Sequence, residues 1–314
     1  MKNKIQSYIL IGQLVALSVL LAGCQISESE ENTAMTSADS SIKNIIFLHH
    51  STGRTIWEGG VPGWFEGYNQ GRDTTFVLEE RAFPSRRGYG WKNYPYDYWN
   101  IWVNHAGEEM YSAKGGLFDA DGVKDFLLRA RSIARGEPRG EPTLEILTDQ
   151  YDLIIWKHCF PVSDVRENTG NPQIDSEAKR IENYKLQYHA LREKMREFPH
   201  TRFIVWTGAA RTEAATSREE AERAKQFFDW VVNEWDETGD NIYLWDFRQL
   251  ETEGGLYLKD EYSRSATDSH PNGEFAQRVA PLFCQRIVDV VSGKGDEGNL
   301  TGAEPSVAEV DAAR

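Results

Sequence analysis

Along the middle of the chain, short β-branched and aromatic runs alternate with longer amphipathic segments. That order fits a parallel sheet covered by helices. Candidate strands lie at 44–48, 74–78, 152–156, 202–206 and 241–245. Between the third and fourth, Ile181, Tyr184, Tyr188, Leu191, Met195 and Phe198 recur at alternating steps of three and four, which is one face of a helix, and Pro199 closes it. A second helix carries Ala224, Phe227, Phe228, Val231 and Trp235, and a last one Phe275, Val279, Leu282, Phe283, Ile287 and Val290. These stripes read as core. The connection 79–151 is too long for a simple crossover and reads as an elaboration of the fold. The expectation is a single α/β domain around a central parallel sheet.

The two ends are expected to lie outside that domain. Residues 1–24 have Lys2 and Lys4 at a positive start, then a short apolar segment and "LAGC", the order of an export signal. Leu21, Ala22 and Gly23 before Cys24 resemble the bacterial lipobox, so Cys24 is expected to carry lipid and to become the mature N-terminus. Gln25 follows, not the aspartate of inner-membrane retention. The expected location is extracytoplasmic, anchored by lipid to a bacterial membrane, the outer one if the cell has two. Residues 25–41 are Ser, Glu, Thr and Ala with almost no large apolar side chain, and cannot repay their ordering entropy. They read as a tether, and 293–314 as a disordered tail, leaving 42–292 as the folded domain.

The formal net charge of -14 argues against nucleic acid as a partner, since such partners call for clustered Lys and Arg. Apart from Cys24 the cysteines are Cys159 and Cys284. Their spacing alone decides nothing about pairing, but a residue just past the third strand and one inside the last helix need not be neighbours. A disulfide requires Cα atoms within about 7 Å, so two unpaired cysteines are expected.

The first strand ends unusually, in "IIFLHHSTG" at 45–53, where an apolar run meets two histidines, two hydroxyls and a glycine. In open parallel sheets ligands bind beyond the carboxyl ends of the strands, where strand order reverses. If 45–48 is the central strand, His49, His50 and Ser51 emerge into that crevice. A hydroxyl there becomes a nucleophile only when a base takes its proton and a third group holds the base. The required base stands far downstream in "ATDSHPNGEF", where His270 precedes the last helix and Asp268 lies two residues before it.

Together these residues resemble the SGNH (GDSL-type) hydrolase superfamily. There the nucleophilic serine follows the first strand, and Asp and His share one late loop before the final helix. The resemblance implies a flavodoxin-like three-layer α/β sandwich with a central parallel sheet, and within it Ser51 as nucleophile, His270 as base and Asp268 as its orienting carboxylate. Three departures stand out. His49 and His50 occupy the places of the usual Gly and Asp, and Thr267 holds the usual place of the acid, so Asp268 needs a tighter loop to reach the imidazole. At the third strand, "IIWKHCF" has no Asn at the obvious place for an oxyanion donor. The oxyanion candidates are then Lys157, the backbone of Gly88 or Gly90, and the N–H of Ser51.

The segment "GYGWKNYPYDYWNIWVNHAG" crowds aromatic side chains into a turn-rich insertion, and Trp91, Trp99 and Trp102 are expected to offer a platform to sugar rings. The resulting expectation is a serine esterase that removes acyl groups, acetyl among them, from an extracytoplasmic saccharide. It needs no metal and no organic cofactor, and meets the membrane through its lipid alone. The rival is a lipoprotein that keeps the fold but only binds a glycan or a protein, with His49 and His50 marking lost catalysis. A metal hydrolase using His49, His50, His270 and Asp268 is weaker, because adjacent strand residues point to opposite faces.

Overall fold

The computed structural model of the chain describes residues 42–85, 89, 93–107, 110–111 and 141–303. In chain order they form β1 (Ile42–His49), α1 (Ser51–Glu58), α2 (Val61–Tyr68), β2 (Thr75–Ala82), α3 (Pro95–Trp99), β3 (Met110–Tyr111), β4 (Glu141–Pro142) and α4 (Leu144–Thr148). There follow β5 (Leu153–Trp156), α5 (Ile181–Arg196), β6 (Arg202–Trp206), α6 (Arg218–Trp230), β7 (Ile242–Trp245), α7 (Phe247–Thr252), β8 (Ser263–Ser265), β9 (Asp268–Pro271) and α8 (Gly273–Val291).

The central sheet has five strands in the order β2-β1-β5-β6-β7, all parallel. Renumbered by their place in the chain these are 2-1-3-4-5, the doubly wound flavodoxin-like order, whose switch point lies between β1 and β5. All five strands fall where the β-branched and aromatic runs predict them, within one or two residues at most ends.

The two-residue period of the strands sorts the core into two layers. Ile46, Leu48, Ile154, Trp156, Phe203 and Val205 face the layer built from α3, α5 and α6. Ile45, Phe47, Leu153, Ile155, Ile204 and Trp206 face α1, α2 and α8. The stripe read for α5 is buried at Ile181, Tyr184, Tyr188, Leu191 and Met195. Among the described residues no helix is long and apolar enough to cross a membrane.

Two expectations change here. Residues 293–303 do not behave as a tail: the carbonyls of Gly295, Leu300 and Thr301 accept from Arg286, the Asp246 N–H and the Trp245 indole. Arg286 is buried between α8 and this strap, and its guanidinium also donates to the Leu244 carbonyl at 2.7 Å. The satisfaction of a buried cation holds the strap in place, a cause that composition does not display. Residues 304–314, like 1–41, lie outside the described residues. The second change is in the aromatic insertion. Trp102 is fully buried, its indole N–H donating to the Pro142 carbonyl at 3.2 Å, and Trp99 is also buried. Both belong to the core layer with Phe83, Tyr98 and Trp156, so neither offers a face to a sugar.

Candidate active site

The parallel register sets Leu48 of β1 beside Trp156 of β5, so the two strands end side by side and their following residues share the crevice at the switch point. After β1 the chain turns through His50, whose extended backbone is the N-cap of α1, and Ser51 opens the helix. This turn is close. A Cβ on Gly53 would lie 2.5 Å from the Cβ of His49, so only glycine lets the first turn of α1 pack down on the strand end.

His270 arrives from the other end of the domain. β8 and β9 form a small antiparallel hairpin, with Ser263 opposite Pro271 and Ser265 opposite Asp268. Three anchors hold it. Ser269, on the face opposite the triad, accepts from the Thr212 N–H at 3.1 Å. Arg264 donates to the Thr55 hydroxyl at 3.0 Å, tying the hairpin to α1. Asn272 donates to the carbonyls of Glu261 and Ser263 while its side-chain oxygen accepts from Phe275 N–H and caps α8.

The structure brings Ser51, His270 and Asp268 together. The ring nitrogens of His270 lie 2.8 Å from Ser51 Oγ, through Nε2, and 2.5 Å from Asp268 Oδ1, through Nδ1. The backbone N–H of His270 donates to the same carboxylate oxygen at 3.1 Å. With Nδ1–H committed to the carboxylate, Nε2 is the acceptor for the Ser51 hydroxyl. Partial burial works toward a higher pKa for Asp268, but the hydrogen bonds from His270 outweigh it and hold the carboxyl below its ordinary value. Phe160 sets its ring edge-on against the imidazole, with centroids 4.9 Å apart.

The other predicted residues fall differently. Lys157 does not present its amine to the crevice; it is 1% exposed and donates at 3.5 Å to Cys159 Sγ, which itself lies against Ser51. Its amine also lies 5.7 Å from the ring centroid of Trp206, in the core layer on the α1, α2 and α8 side. Gly88, Gly90, Trp91 and Cys24 lie outside the described residues. His49 points away from the triad to Glu80, at 2.6 Å from Nε2, and His158 is buried against the Tyr188 hydroxyl at 3.0 Å. Burial lowers His50 to about 3 and keeps the ring neutral. Among the described residues no group of three or more His, Cys, Asp or Glu side chains is placed to hold a metal ion. Cys159 and Cys284 are both free and buried.

Asn93, outside the residues expected at the site, also meets it through Cys159. It is fully buried, with φ of 58° in the left-handed region that asparagine tolerates better than most residues. Its amide nitrogen donates to the Phe83 carbonyl at 3.1 Å and its oxygen accepts from the Cys159 N–H. It thereby joins the loop after β2 to the loop after β5. A signal was present, an Asn directly before the "YPYDYW" run where a helix begins at Pro95, but that pattern is common in turns.

No family model matches the chain, and no curated protein does. Among solved structures, BT4096, described as a gut microbial diltiazem-metabolizing enzyme, is similar with a TM-score of 0.40 and 12% sequence identity, over 81% of this chain and 47% of that one. The chain therefore spans about half the length of that neighbour, and at this level of similarity the fold stands on its own strand order.

Proposed function

We propose that the protein is a serine hydrolase of SGNH type acting on carboxylic esters. The observation that carries this reading is the unbroken hydrogen-bonded chain from Ser51 Oγ through His270 to Asp268, assembled from the two ends of the domain at the switch point of the sheet. A serine that merely began a helix would need no imidazole at 2.8 Å, and the imidazole would need no carboxylate.

In this mechanism Ser51 Oγ attacks the ester carbonyl while His270 Nε2 takes its proton. Asp268 fixes the tautomer and balances the imidazolium that forms. The backbone N–H of Ser51, at the first position of α1, has no partner within its own helix and is the donor assigned here to the developing oxyanion. His270 then protonates the leaving alkoxide, and a water repeats the sequence to release the acid. The substrate proposed is an ester small enough to approach past Phe160. An acylated saccharide remains the finer proposal, now without Trp99 and Trp102 to support it. Attachment to a membrane through lipid on Cys24 is likewise proposed from the sequence alone.

The test is a fluorophosphonate probe, which phosphonylates activated serines, followed by peptide mapping. The expected result is a single adduct at Ser51 that is lost in His270→Ala. Absence of labelling in folded protein would favour the rival, a binding lipoprotein on a hydrolase scaffold.

A further inference from the structure

Beneath the nucleophile lies a pair of groups that ester hydrolysis does not use. Cys159 Sγ is 3.6 Å from Ser51 Oγ on one side and 3.5 Å from Lys157 Nζ on the other. A buried lysine is ordinarily paired with a carboxylate, whereas Lys157 sets its amine against a thiol in a site without solvent exposure at the sulfur. The two residues are separated by His158 alone, and the Cys159 N–H is fixed by Asn93, so amine and sulfur are held in contact by the folded chain.

We propose that Lys157 and Cys159 form an oxidative modification site, closing to a covalent sulfur–nitrogen (sulfenamide) bridge when peroxide enters the crevice. The Cys159 thiol proton passes to Lys157 Nζ, and the thiolate sulfur attacks one peroxide oxygen. The O–O bond breaks, and the leaving hydroxide takes the proton back from Lys157 as water. This leaves a sulfenic acid beside a neutral amine. The Lys157 nitrogen then attacks Cys159 Sγ, the S–N bond forms, the S–O bond breaks, and hydroxide leaves with a proton from nitrogen as a second water. In total one thiol, one amine and one hydrogen peroxide give the bridge and two waters, with two electrons passing from sulfur to peroxide. Burial lowers the pKa of Lys157, opposed by Cys159 and by the carboxylate of Glu251, and the net lowering enlarges the share of neutral amine that both steps draw on.

The bridge has a use at this position. A sulfenic acid next to Ser51 would otherwise proceed to the irreversible sulfinic acid under further peroxide, whereas an S–N bond is opened by thiols. The bridge itself does not rest on the esterase reading; only its effect on turnover does.

The experiment treats the full chain, carrying Cys284→Ser so that no disulfide to that residue can form, with a small excess of hydrogen peroxide. The expected product is about 2 Da lighter, resists tryptic cleavage after Lys157, and reverts with dithiothreitol. Lys157→Met, which keeps the side-chain length without the amine, should instead accumulate the acids of Cys159, about 16 and 32 Da heavier. If the protein with Lys157 intact gains those acids or leaves Cys159 unmodified, the proposal is overturned. Ester turnover, where present, should fall with bridge formation and return on reduction. Reversible bridging without any turnover in untreated protein would leave the bridge standing and count against the esterase.

Discussion

Asp268 and His270 lie two residues apart on one extended strand, so both side chains leave β9 on the same side and the carboxylate meets Nδ1 at 2.5 Å. The spacing that calls for a tighter loop in sequence is thus met by a strand: Ser269, between them, turns to the opposite face and anchors the hairpin through Thr212. No loop closure is required, because the carboxylate and the imidazole are held by the backbone that carries them.

Loss of turnover should follow that geometry. Ser51→Ala and His270→Ala are expected to abolish ester hydrolysis, a fall of roughly 10⁴ or more, with thermal unfolding unchanged within a few degrees. Asp268→Asn should leave measurable activity. Inserting one glycine after Asp268 would move its carboxylate to the other face, and should cost as much as Asp268→Ala. Steady-state rates on a chromogenic acetate ester decide it; an insertion variant as active as wild type would sink the role given to the strand.

The five sheet strands and the main helices were legible because each is a local pattern: apolar runs bounded by turns, or stripes at helical spacing. Ser51, His270 and Asp268 were readable because motif and element order agree at both ends of the chain. What could not be read depends on contacts between distant residues. Lys157 lies at a strand end that looks open in sequence, yet the registration of β5 between β1 and β6 buries it. Trp99 and Trp102 carry no mark separating a core ring from a binding face; Trp102 is buried by packing against Trp156 and Phe83, and Trp99, packed on Tyr96, lies in the same core layer. The strap 293–303 is polar in composition, and its order comes from carbonyls that satisfy Arg286 and Trp245.

Asn93 is expected to be a point of weakness in stability. Asn93→Ala would leave the Phe83 carbonyl and the Cys159 N–H without their partner, a loss of about 1–3 kcal/mol for each buried group. Because Cys159 abuts Ser51, turnover should fall together with stability. Denaturant unfolding alongside kinetics tests this; a fully stable variant would show that water replaces the amide at both sites.

The pH dependence of stability should carry the signature of Glu251. Burial pushes its carboxyl up to about 8, against the hydrogen bond from the Ala210 N–H and the charges of Arg248 and Lys157, with Asp246 acting in the same sense as burial. The folded protein therefore keeps a proton that the unfolded chain releases near its ordinary 4.5, and stability from this group is complete below 4.5 and declines as pH rises toward 8. Glu251→Gln keeps the oxygen that accepts from Ala210 and removes the titration. Its stability should be flatter with pH across that window, by on the order of a few kcal/mol. Unfolding curves at several pH values measure it, and identical slopes for variant and wild type would refute the assignment.

The aromatic insertion separates folding from binding most directly. Trp102 is fully enclosed among Phe83, Tyr98 and Trp156, with ring centroids at 5.4, 5.0 and 5.7 Å, and its indole satisfies the Pro142 carbonyl. Trp102→Ala would open a large cavity in the layer beneath the sheet and leave that carbonyl unpaired, so a loss of about 3–5 kcal/mol is expected. Trp102→Phe should recover much of the packing but not the hydrogen bond, and so fall between the two. Trp99, at 6% exposure and packed against Tyr96 at 5.7 Å, should show a smaller loss on truncation. Thermal unfolding ranks the three variants. Were Trp102→Ala as stable as wild type yet weaker in KM for an acylated oligosaccharide, the ring would belong to a binding face after all, and the packing described for this layer would be wrong.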